Sequence, residues 1–218
     1  MAKRFELIVF DWDGTLLDSA GAIVACIQAA AVDLGMAPPA EERARHVIGL
    51  GLSEALRHAL PELEERRHME LADRYRYHYL ARDHELPLFQ GAAELVRSLA
   101  ADGYLLAVAT GKSRKGLDRA FATCGLREYF HASRCADECH SKPHPQMLEE
   151  LMAELGVPPG LTLMIGDTTH DLQMARNAGV GALAVAYGAH PRDLLEELSP
   201  LHCAASTAEL ADWLRQHG

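Results

Sequence analysis

The stretch Phe10-Asp11-Trp12-Asp13-Gly14-Thr15 constrains this chain more than any other. Four apolar residues, Leu7-Ile8-Val9-Phe10, run straight into it, a pattern suited to a strand buried in a parallel sheet. Two carboxylates therefore fall where a core strand ends. Residues two apart on extended backbone project to one side, so Asp11 and Asp13 face a shared volume while Trp12 turns away. Gly14 allows a sharp bend. Like charges at close range persist only with a neutralising cation or a shared proton. That suits one carboxylate as nucleophile and the other as acid and base. The alternative is a plain turn that caps a helix starting near Asp18 or Ser19.

After this strand the pattern is helical up to residue 87. The spacing predicts a helix from Asp18 or Ser19 to about Gly35, stopped by Gly35 and Pro38-Pro39. A second helical piece leads into Val47-Ile48-Gly49-Leu50-Gly51-Leu52, a helix restarts through Leu60, and a long charged helix is expected over 62–82. From Pro87 the pattern alternates. Helices at 91–101, 113–123, 145–155, 169–178 and 206–216 separate strands at 104–109, 129–133, 161–165 and 182–186. The expected fold is α/β: a Rossmann-like parallel sheet with helices on both faces, formed by residues 1–17 and 88–218, plus an inserted α-helical domain over 18–87.

A formal charge of -10 argues against a nucleic-acid groove or an anionic membrane surface, which both call for excess Lys and Arg. A small phosphorylated molecule stays compatible, since a few local cations reverse the field in a pocket. The five cysteines are odd in number and scattered, which reads as reduced thiols in a cytoplasmic protein. Cys135-x-x-x-Cys139-His140 has no second cluster to complete a zinc site. No apolar run reaches signal-peptide or membrane-spanning length.

Function in open parallel sheets gathers at the carboxyl ends of strands, and three more polar groupings lie at strand ends or between the strands and the next helices. Thr110-Gly111-Lys112 ends one strand and opens a helix, offering a hydroxyl and free backbone N–H groups as a phosphate cradle, or else an ordinary cap. Lys142-Pro143-His144-Pro145 sets one ammonium on a restricted backbone, or is a plain turn. Asp167 and Asp171 follow Leu163-Met164-Ile165 and present carboxylates on one side of a helix start, or cap it.

Taken in this order, the four groupings resemble the four motifs of the haloacid dehalogenase superfamily of hydrolases, and most closely its phosphoglycolate phosphatase-like branch. The likeness spans nearly the whole chain. It implies that the helical block is a cap, and that Asp11 is a nucleophile forming an aspartyl phosphate. Asp13 would be the acid and base, and Thr110, Gly111 and Lys142 would hold the phosphoryl oxygens. It further implies Mg²⁺ held by Asp11, Asp167 and the backbone carbonyl of Asp13, with Asp171 helping through water or a hydrogen-bonded neighbour. Arg45, His46 and Gly49, in and beside a loop similar to the family's specificity loop, are candidate substrate-recognition residues. A solvated helix face is the other reading for Arg45 and His46.

Asp13 separates the chain from the superfamily's founding dehalogenases, which lack that acid. No lysine lies between Lys3 and Lys112, so a Schiff-base mechanism from the cap has no residue to use. Gly111 replaces the Asn common in phosphoglycolate phosphatases, which loosens the expectation about substrate. The expected function is a Mg-dependent phosphomonoester hydrolase acting on a small phosphorylated metabolite, phosphoglycolate-like or a sugar phosphate, as monomer or homodimer. The alternatives are a phosphomutase of the same architecture and a catalytically silent phosphate-binding regulatory protein.

Overall fold

The computed structural model describes residues 4–218. In chain order its elements are β1 (Leu7–Phe10), α1 (Ala20–Asp33), α2 (Glu41–His46), α3 (Leu52–Ala59), α4 (His68–Leu80), α5 (Ala92–Ala101), β2 (Leu105–Thr110) and α6 (Arg114–Cys124). They continue with β3 (Ala132–Cys135), α7 (Gln146–Leu155), β4 (Thr162–Gly166), α8 (Thr169–Ala178), β5 (Gly181–Val185), α9 (Arg192–Glu196), β6 (Cys203–Ala204) and α10 (Thr207–His217). The six strands form one sheet in the order β3-β2-β1-β4-β5-β6, parallel throughout.

β1 lies between β2 and β4, so both faces of this strand must be covered, and all four of its residues are buried. Its side chains alternate between layers. Ile8 and Phe10 join the cluster containing Val96 and Leu99 of α5, Leu117 and Phe121 of α6, and Leu214 of α10. Leu7 and Val9 join Leu148 and Leu151 of α7 and Met174 of α8 on the other face. Each such burial stabilises the fold by roughly 1.5–3 kcal/mol relative to exposure.

Helices α1 to α4 build a separate apolar cluster, with Ile27, Ile48, Leu56, Leu60 and Leu71 at its centre. The chain enters and leaves this block at adjacent points: Leu17 bridges Leu88 antiparallel, Asp18 N donates to Pro87 O at 2.9 Å, and Phe89 N to Leu16 O at 2.9 Å.

The structure departs from the sequence-based expectation at four places. The helix expected over 62–82 is α4 flanked by 3₁₀ turns at Glu65–Arg67 and Asp83–Glu85, because Leu63 turns inward and is buried before the helix begins. The strand expected over 129–133 starts at Ala132, after a 3₁₀ turn at Arg127–Tyr129. The short elements α9 and β6 were not anticipated. Ser19 stands before α1, yet its hydroxyl makes no cap and donates to Asp13 Oδ1 at 2.7 Å. No described helix is long and apolar enough to cross a membrane.

Candidate active site

Asp11 is the first residue beyond β1, and its N–H still pairs with Ile165 O of β4 at 2.9 Å. That bond holds the carboxylate at the sheet's carboxyl edge. Trp12 points the opposite way, fully buried and edge-on to Phe121 with ring centroids 5.1 Å apart. Gly14 adopts φ 85°, and a Cβ there would collide with the Asp167 carboxylate. The turn after β1 therefore needs glycine for both conformation and space. Thr15 donates its hydroxyl to Asp167 Oδ1 at 2.8 Å, and Ala189 N donates to Oδ2 at 2.7 Å, so Asp167 is fixed from two sides.

Asp171 caps α8 and also faces the other buried charges. It closes a capping box on α8, accepting at Oδ2 from Thr168 N at 3.0 Å and Thr168 Oγ1 at 2.7 Å. Its other oxygen, Oδ1, lies 2.6 Å from Lys142 Nζ, which is also 2.5 Å from Asp11 Oδ1. Lys142 has no solvent exposure. Burial alone would lower its pKa, but the Asp11 and Asp171 carboxylates outweigh that and hold it above its ordinary value.

Asp11, Asp167 and Asp171 each offer a carboxylate oxygen within 4.8 Å of the others, all buried. Burial raises the pKa of Asp11 well above its usual range, against the pull of Lys142, and the charges of Asp171 and Asp167 add to the rise. Asp167 is pushed up to about 7, first by burial and then by Asp171. With all three carboxylates ionised, one ammonium would leave the pocket net negative, so a proton or a cation belongs there as well. Asp11 Oδ2 is buried without a hydrogen-bond partner, the mark of an atom that a bound group satisfies. An all-oxygen donor set of this charge fits a hard divalent cation such as Mg²⁺.

Thr110 ends β2, fully buried, and accepts Lys112 N at 3.2 Å. The helix that follows is capped by Ser113, whose side chain accepts from Gly116 N, so Thr110 is left for the site. Gly111 is required by close approach, since a Cβ there would lie 2.5 Å from Leu50 O and 2.6 Å from Gly49 O. The loop between α2 and α3 thus rests directly on the segment Thr110-Gly111-Lys112. A cavity of about 670 Å³ opens here, with Asp11, Asp13, Thr110 and Lys112 on its sheet side and Ile48, Leu56 and Tyr75 opposite.

Gly49 lines this cavity, with φ 94°, but Arg45 and His46 do not. Arg45 pairs with Glu41 at 2.9 Å along its own helix. His46 sits on the seam between the helical block and the sheet: its ring stacks on His190 at 5.0 Å, and its carbonyl faces His170 Nε2 at 2.8 Å and His190 Nε2 at 3.2 Å. Burial lowers the pKa of His170 and takes that of His190 down to about 4, so this pair is uncharged at neutral pH.

Sequence reasoning missed Thr15, Ser19, Lys112 and Tyr79. Lys112 Nζ lies 3.0 Å from Asp13 Oδ1 and donates to Tyr79 Oη at 2.7 Å. The only signal for it was adjacency to Thr110 and Gly111. Tyr79, far off in sequence, gave none.

Asp11, Thr110 and Asp167 stand at the carboxyl ends of the adjacent strands β1, β2 and β4, and Lys142 reaches the same point from the loop after β3, which is where open parallel sheets bind their ligands. The chain matches the model of the haloacid dehalogenase-like hydrolases over residues 8–185 and belongs to that family. It is 40% identical over 204 residues, covering 89% of this chain and 86% of the relative, to the protein named "Probable phosphatase IndB" of Dickeya dadantii. It is 32% identical over 212 residues, covering 93% of this chain and 89% of the relative, to an N-acetylmuramic acid 6-phosphate phosphatase of Pseudomonas aeruginosa. The crystal structure of a predicted phosphoglycolate phosphatase from Haemophilus somnus superposes with a TM-score of 0.85 at 25% identity, covering 97% of this chain and 99% of that one.

Proposed function

We propose that this protein is a phosphoric monoester hydrolase that acts on a small phosphorylated metabolite through an aspartyl phosphate. The observation that carries the reading is the convergence of Asp11, Asp167, Asp171 and Lys142 on one buried point beneath a cavity that also holds Asp13 and Thr110.

A carboxylate oxygen of Asp11 attacks phosphorus, and the bond from phosphorus to the ester oxygen breaks. Asp13 gives its proton to the departing oxygen. Water then attacks the phosphoryl group on Asp11, Asp13 takes the water's proton, and orthophosphate leaves with Asp11 restored. Lys142 and Thr110 hold the non-bridging oxygens, where negative charge has to be stabilised during transfer. Asp11, Asp167 and Asp171, with the backbone carbonyl of Asp13, would hold Mg²⁺, which when bound supplies charge neutralisation. Helices α1 to α4 act as a cap, since their loop at Gly49 and Leu50 lies over the cradle at Gly111 and screens the site from bulk water.

Phosphate release from a panel of phosphorylated metabolites tests this reading, run with Mg²⁺, with chelator, and with Asp11→Asn. Turnover that needs Mg²⁺ and vanishes in the variant is the expected result. Turnover that survives in Asp11→Asn sinks it.

A further inference from the structure

Asp13 carries the proton in both halves of the proposed reaction, so its orientation matters as much as its charge. Its two side-chain contacts fall on the same oxygen. Ser19 Oγ donates to Oδ1 at 2.7 Å, and Lys112 Nζ lies 3.0 Å from Oδ1. That leaves Oδ2 for a ligand in the cavity that Asp13 lines. Both partners are shielded: the Lys112 side chain is 9% exposed and that of Asp13 is 12% exposed. At this depth the contact, an ion pair once Asp13 has given up its proton, is screened far less than one on the surface.

A lysine is a poor fixed point by itself, because its four-carbon stem carries about 2 kcal/mol of rotamer entropy. Here the ammonium has a second anchor, in Tyr79 of α4. Lys112 donates to the Tyr79 hydroxyl at 2.7 Å and lies 4.8 Å from the Tyr79 ring centroid. Tyr79 is in turn held by Tyr75, one helical turn earlier, with rings nearly parallel and centroids 5.7 Å apart. Asp13 belongs to the sheet and Tyr79 to the helical block, and Lys112 touches both.

We infer that Lys112 is a positioning residue that locks the Asp13 carboxyl toward the leaving group only while Tyr79 of the helical block is seated against it. The inference rests on the hydrolase reading above and adds to it a link between the block's position and proton transfer. With the block displaced, Lys112 loses one of its two anchors and Asp13 is left with Ser19 as its one firm side-chain partner.

The test compares leaving groups. Nitrophenolate departs without a proton, whereas an alkoxide needs one. The kcat/KM values for p-nitrophenyl phosphate and for the best alkyl phosphate of the panel both report phosphoenzyme formation. In Lys112→Met the aryl-to-alkyl ratio of kcat/KM is expected to rise by about tenfold or more, within the range general acid catalysis supplies. In Tyr79→Phe, which keeps the buried ring and removes only the hydroxyl, the same ratio rises by less. An unchanged ratio in Lys112→Met overturns the inference, because a merely structural or phosphate-holding lysine slows both esters alike. An unchanged ratio in Tyr79→Phe overturns the link to the helical block. If the native protein hydrolyses neither ester, or Asp11→Asn stays active, the hydrolase reading falls and takes this inference with it.

Discussion

Lys142 places its ammonium 2.5 Å from Oδ1 of Asp11, although 131 residues separate the two in sequence. The pair is closed to solvent on both sides, and Asp171 shares the same ammonium. Removing the cation strands buried carboxylates. Lys142→Met is therefore expected to destabilise the metal-free protein by about 3–5 kcal/mol as well as abolish turnover. Chemical denaturation in chelator checks the first part, and near-native stability would contradict it.

Asp11→Asn separates activity from stability. Burial and the nearby Asp171 and Asp167 make an ionised Asp11 unfavourable in the absence of metal, despite Lys142. A neutral amide removes that charge. In chelator at neutral pH the variant should melt at or above the native temperature while losing activity by at least about a thousandfold. A clear drop in melting temperature would mean that the Lys142 pair outweighs the repulsion.

The acid cluster also sets a pH dependence. Asp167 has its pKa raised from an ordinary 3.8 to about 7 in the folded protein. The folded state therefore binds the proton more tightly, and this contribution to stability is complete below about pH 4 and is lost as pH rises through about 7. Protons and a divalent cation compete for the same oxygens. The melting temperature in chelator should fall from pH 5.5 to pH 8, and added Mg²⁺ should raise it more at pH 8 than at pH 5.5. An equal metal effect at both values would remove the cluster as the cation's site.

Gly111→Ala tests the contact between the segment after β2 and the helical block. The added carbon meets two backbone carbonyls, those of Gly49 and Leu50, which no rotamer change can move. Overpacking of this sort costs about 1–3 kcal/mol if the neighbours stay in place. A shifted block relieves it, so kcat/KM is expected to drop by about tenfold with only a small change in melting temperature. Steady-state kinetics beside a thermal melt distinguishes the two responses.

Arg45→Ala should change KM by less than about twofold on any substrate of the panel. The guanidinium is occupied by Glu41 on the same helix and lies outside the cavity lining. Its salt bridge is partly exposed and contributes little. A large rise in KM would return Arg45 to substrate recognition.

The strand that matters most was plain from its residues, because a run as short and apolar as Leu7 to Phe10 has nowhere to go but a doubly covered sheet. The residues at the strand ends were legible for a related reason: Asp11, Asp13 and Asp167 are polar directly after apolar runs, whereas Lys142, in a polar loop after β3, stood out by the prolines that follow it. Ser19 shows the limit. Its position before α1 fits a cap, yet the bond it makes is to Asp13, and nothing local distinguishes the two uses. Lys112 and Tyr79 meet only because the fold brings the end of α4 to the segment after β2, a long-range event that spacing cannot encode. β6 is two residues long, too short to leave any period.

The clasp at the foot of the helical block has a consequence for how such a protein diversifies. Leu17 and Leu88 already lie side by side, and backbone bonds tie Asp18 to Pro87 and Leu16 to Phe89. The two stubs are thus joined before any of the intervening chain is considered. A segment of different length or sequence could be spliced between them without disturbing the register of β1 against β2 and β4, so what the replacement has to preserve is confined to its contacts with the sheet edge, among them those at Gly111 and Lys112.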